Sequence, residues 1–114
     1  MNELRDDLDY MIEGLATNKS LAVRRSSAFN LAKLCKQQSS HVGQLLRVDG
    51  HFVPLFDLLQ HGLEDEIIMW SACAILYFLF SNSLNSEFAT ANAVELLLKI
   101  AESPESKKEP VFYE

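Results

Sequence analysis

An all-α fold made of repeated helical units is what this sequence predicts, and three observations predict it. Only four Gly and three Pro interrupt 114 residues rich in Leu and Ala, so long helices meet few breakers. Apolar residues recur at helical spacing in segment after segment. Two such segments also align with each other at an offset of 45 residues. An apolar fraction of 48% and a charged fraction of 23% place the chain among globular sequences, with room for one domain.

The first helix is predicted from Glu3 to Leu15, with Leu4, Leu8, Met11, Ile12 and Leu15 on one face. Asp6, Asp7 and Asp9 fall early in it, toward the positive end of its dipole. A loop follows, in which Asn18 or Ser20 caps the second helix, Leu21 to Lys36. Leu21, Ala28, Leu31, Ala32 and Cys35 gather on one side of that helix. Arg25, Phe29, Lys33 and Lys36 share the other half. Phe29 is the odd residue among these cations, and belongs either beneath a neighbouring unit or at a binding face. A third helix, His41 to Val48, stops at Asp49-Gly50. The fourth, His51 to His61, presents Phe52, Val53, Leu55, Phe56 and Leu59, and tolerates Pro54 in its first turn.

Ile67 to Phe80 is the most apolar stretch, with Ser71 its single polar residue. A helix apolar on every side is expected to be covered on every side, so this segment is assigned as the central core helix. It is too short to cross a bilayer and is preceded by Glu64-Asp65-Glu66. A short helix over Ser86 to Thr90 and a last one from Asn92 to Glu102 complete five to six helices. Ser103-Pro104 ends the fold, so residues 1–102 form the domain and residues 103–114 a flexible tail.

The overlay pairs Val23 with Ile68, Ser26 with Ser71, Leu31 with Leu76 and Leu34 with Leu79. The preceding helices align at an offset of 44, Leu8, Met11, Ile12 and Leu15 facing Phe52, Leu55, Phe56 and Leu59. A period near 45 lies in the range of HEAT and armadillo repeats, whose units bury their apolar faces by stacking. Val23-Arg24 with Ser27 and Leu31 resembles the second helix of a HEAT repeat; Gly50-His51-Phe52-Val53-Pro54-Leu55 resembles an armadillo helix. The chain is thus read as a HEAT/armadillo-like α-α superhelix of about two and a half repeats, expected either to cap itself or to be part of a longer solenoid. By the HEAT resemblance, Arg24 reaches an acid in the next unit.

Asp6-Asp7-Leu8, the string Ser20-Leu21-Ala22-Val23-Arg24-Arg25-Ser26-Ser27-Ala28-Phe29-Asn30-Leu31-Ala32-Lys33-Leu34-Cys35, and the Gly turn, acid pair and Ala/Cys-rich helix after it resemble another sequence. They are similar to the opening of the conserved C-terminal domain of Wings apart-like (Wapl) proteins. That resemblance implies a nuclear, chromatin-associated regulator that promotes release of cohesin from chromosomes. The expected partners are the cohesin ATPase-head region or its HEAT-repeat accessory subunits, and the protein itself performs no chemistry. A generic armadillo or HEAT adaptor unrelated to cohesin is the alternative.

Charge supplies candidate contact residues. Between Lys19 and Arg47 lie six basic residues and no acid, within a chain of net charge −6. A solvated helix face and a surface for an acidic partner both explain such a block. Arg25, Phe29, Lys33 and Lys36, with Asp6, Asp7 and Asp9, are the candidates for partner binding. No cofactor, metal or small-molecule site is expected. His41, His51 and His61 recur every ten residues, where two ligands on one helix face need three or four. Cys35 and Cys73 form no CxxC pair and fall in apolar runs, which suggests buried free thiols in a reducing compartment. No phosphate loop or nucleophile elbow surrounds any glycine. A pI of about 5.0 speaks against direct nucleic-acid binding. The charged N-terminus does not resemble a signal peptide, and no membrane partner is expected.

Overall fold

The computed structural model describes residues 2–81 and 91–102, and all of their regular structure is helical. Five helices follow in order: α1 (Asn2–Gly14), α2 (Leu21–Val48), α3 (Phe52–Gln60), α4 (Glu66–Ser81) and α5 (Ala91–Glu102). The short helix expected over Ser86 to Thr90 and the tail at 103–114 lie outside the described residues. No helix among the described residues is long and apolar enough to cross a membrane.

Each boundary has a local cause. Ser20 sits in extended backbone before α2, and its Oγ accepts a hydrogen bond from the Val23 N–H at 3.3 Å. α2 holds two helical segments, which meet in the polar stretch at 37–40. Gln38 alone leaves helical geometry, at φ −141° and ψ 47°. The second and third helices expected from the sequence are both present, meeting at Gln38 as two helical segments of α2. Its stop is Gly50, whose φ of 72° suits a residue without Cβ. Before α4, the Asp65 carboxylate accepts from the Ile68 N–H at 3.0 Å and caps the helix.

One core binds these helices. α2 packs mainly on α4 and α1, and α3 on α5. Leu31, Leu46, Leu55, Phe56, Leu59, Ile75, Leu79 and Leu96 are fully buried in it. Burying each such side chain stabilises the fold by roughly 1.5–3 kcal/mol. Phe56 stacks at a tilt on both Phe52 and Phe80, with ring centroids 5.7 and 6.3 Å apart, tying α3 to α4. α1 crosses α2 closely enough that a Cβ on Gly14 would lie 1.9 Å from the Ser27 Oγ.

Burial fixes the register of the repeat. The inward residues of α2 are Ser27, Ala28, Leu31, Ala32 and Cys35; those of α4 include Ser71, Ala72, Ile75, Leu76 and Leu79. Each pair is 44 residues apart, as are Leu8 with Phe52, Ile12 with Phe56 and Leu15 with Leu59. The overlay at 45 thus misplaces α2 against α4 by one residue. It pairs Val23, which is exposed, with Ile68, which is buried. The caps explain the shift, since Ser20 and Asp65 stand 45 apart and α4 reaches its first inward serine one residue sooner.

Candidate interaction surface

α4 is not covered on every side, contrary to what its composition suggests. Ile68, Met69, Ser71, Ala72, Ile75, Leu76 and Leu79 are buried, whereas Ile67, Trp70 and Tyr77 are 46%, 47% and 67% exposed. Leu21, assigned from periodicity to the inward side of α2, is also exposed. Phe29 resolves toward the surface, at 54% exposure.

Phe29, Ile67 and Trp70 border a groove of about 360 Å³ between α2 and α4, with Ala32 on the side of Phe29 and Ala74 on the side of Trp70. Ser71 lies in its floor and Glu66 at one end. Lys33 stands over the Phe29 ring, with Nζ 5.7 Å from the centroid, and fixes a cation at the rim. Lys36, one turn on, is exposed. Among the described residues, no carboxylate lies within ion-pair distance of either lysine.

The remaining candidates have other surroundings. Arg25 donates from Nε and Nη2 to a single Asp65 oxygen, at 2.8 and 2.5 Å. Arg24 donates to the His61 carbonyl at 3.1 Å. The acid of the next unit is thus held by Arg25, while Arg24 reaches that unit's backbone. The Arg25 hydrogen bond, aided by the Ile68 N–H, holds the Asp65 carboxyl below the usual carboxylate range. The same bond raises the Arg25 guanidinium further. Asp6, Asp7 and Asp9 are exposed on α1, and none of them borders the groove. Asp9 lies 3.2 Å from His51, beside the Arg5–Asp49 pair at 2.9 Å. These contacts join α1 to the turn between α2 and α3 and leave Phe29, Lys33 and Lys36 as the candidates that share one surface.

Trp70, Ile67 and Ala74 escaped the sequence reading because a uniformly apolar helix offers no periodicity to read. Burial pushes the Cys35 thiol up to about 12, and it raises the half-buried Cys73 as well, so both thiols stay protonated at neutral pH. Among the described residues, no group of three His, Cys, Asp or Glu is placed to hold a metal ion.

Helices stacked at a fixed offset, with a groove between successive units, define an all-α helical-repeat protein. Residues 1–110 match the family described as "Wings apart-like protein regulation of heterochromatin". The human Wings apart-like protein homolog is 26% identical over 100 residues, which is 88% of this chain and 8% of that protein. No solved structure matches. The chain belongs to the Wings apart-like family, and it spans about one-twelfth of the length of that human relative.

Proposed function

We propose that this chain is a non-catalytic docking module of a Wapl-like cohesin regulator. In this reading it acts in the nucleus and promotes release of cohesin from chromatin by binding cohesin subunits. The family match over residues 1–110 carries the cohesin reading. The surface supports docking: an aromatic groove beside two cations without carboxylate neighbours among the described residues has the makeup of an interface centre, where aromatics are enriched. The candidate partners are the ATPase-head region and the HEAT-repeat accessory subunits.

Capture of isolated cohesin subunits by the purified chain is the test. The wild-type chain is expected to retain one of them, and Trp70→Glu to lose it with the helical spectrum and melting temperature unchanged. Equal capture by both proteins would overturn docking at this groove. Capture of no subunit by either would remove the cohesin assignment.

A further inference from the structure

The α2–α4 groove is one of two related hollows. A second, of about 310 Å³, lies between α1 and α2, bordered by Tyr10 and Met11 and by Ala22, Val23, Ser26, Ser27 and Asn30. Those five α2 residues are the 44-residue equivalents of Glu66, Ile67, Trp70, Ser71 and Ala74. Equivalent residues of α2 and α4 therefore form one wall of each hollow, whereas the opposite wall is α1 in one and α2 in the other. Only in the second unit does an indole replace a serine and a methyl replace an amide at its wall. The apolar lining is particular to the α2–α4 position.

Charge distinguishes the two sides of that groove. α2 carries no acid along its whole length; Lys33 stands over Phe29 at the rim, and Lys36 follows seven residues after Phe29 on the same face of the helix. α4 has no charged residue after Glu66, which stands at the end where Arg25 is already neutralised by Asp65. Among the described residues, the unmatched positive charge at this groove therefore lies beyond Phe29. Carboxylates are attracted there, and a cationic occupant is repelled.

We infer that this groove binds an acidic segment of a partner protein, with one large apolar side chain inserted between Phe29 and Trp70 and carboxylates set against Lys33 and Lys36. The inference rests on the docking reading and gives its occupant a chemistry. Such a segment buries the half-exposed rings of Phe29 and Trp70 and gives carboxylate partners to two ammonium groups that have none among the described residues.

Trp70 is the chain's single tryptophan, so its emission reports the groove directly. Three synthetic peptides without tryptophan serve as probes: one with a central Phe flanked by Glu, the same with Lys for Glu, and the same with Ala for Phe. The first is expected to shift Trp70 emission to the blue and to saturate. The other two are expected to bind at least about tenfold more weakly, a difference of about 1.4 kcal/mol. A chain carrying Lys33→Glu and Lys36→Glu should reverse the preference and take the Lys peptide. Equal response to all three peptides, no response to any, or an unchanged preference in the doubly substituted chain would overturn the inference. So would tighter binding of duplex DNA or anionic phospholipid vesicles than of the acidic peptide. Loss of cohesin capture by Trp70→Glu alongside any of these results would leave docking standing and remove only the proposed chemistry.

Discussion

α2 and α4 occupy equivalent places in successive units, and they treat their two faces differently. Inward they agree: Ser27 and Ser71, Ala28 and Ala72, Leu31 and Ile75 fill the same sites 44 residues apart. Outward they diverge, since Ser26, Asn30 and Lys33 in α2 stand where Trp70, Ala74 and Tyr77 stand in α4. Val23 and Ile67 are the exception, exposed and apolar at 45% and 46%. Stacking requires the first agreement and is indifferent to the second. The outward face of α4 is consequently where this chain departs from what its fold demands, and such departures concentrate at functional surfaces.

The largest expected effect separates the two faces of α4. Ile75 has no exposed surface, so Ile75→Asp would bury a carboxylate without a partner and is expected to abolish the cooperative melt. Tyr77→Asp, half a turn away on the outward face, is expected to leave the melting temperature within a few degrees. An equally severe loss from both would mean that the outward face is covered.

A smaller effect tests the crossing of α1 on α2. Gly14→Ala places a methyl against the Ser27 Oγ and is expected to cost about 1–3 kcal/mol in urea unfolding. Adding Ser27→Gly should recover part of that loss. Failure of the second change to help would show that the helices do not cross at Gly14.

Asp65→Asn removes a charged cap and the partner of Arg25, with an expected loss of about 1 kcal/mol. The pH dependence has a definite sign. The folded carboxyl titrates below its unfolded value of about 3.9, so its contribution is complete above that pH. It fades as pH falls through the folded value. Acid unfolding of the wild-type chain should therefore show a component that Asp65→Asn lacks. Identical acid profiles would contradict the cap.

The smallest effect is one of rate. Cys35, with no exposed surface, should react with a thiol reagent only at the pace of unfolding, and more slowly than Cys73. Faster labelling of Cys35 would place it outside the core.

Much of this architecture was legible in the sequence. Helical periodicity placed α1, α2, α3 and α5 within a few residues, because each has one apolar and one polar face. Periodicity was silent for α4, where Trp70 and Tyr77 look the same as Ile75 in a hydropathy trace although they face opposite ways. The register slipped by one because Ser26, Leu31 and Leu34 find identical residues at 45, whereas the inward positions match by size at 44. The break at Gln38 was legible because its neighbours are polar. Arg24 and Arg25, about 100° apart on one helix, could not be assigned to Asp65 or to the His61 carbonyl without the packing angle. Of the surface candidates, Phe29, Lys33 and Lys36 were visible as an aromatic among cations, but their neighbours on α4 were not.

Engagement of the groove is most directly measured at its indole. Fluorotryptophan introduced at the single tryptophan gives one fluorine resonance, free of signals from any partner's tryptophans. A shift or broadening of that resonance on adding the cohesin subunit retained by the chain is the predicted result. A resonance unmoved while the subunit is bound would contradict the account, because the partner would then occupy another surface.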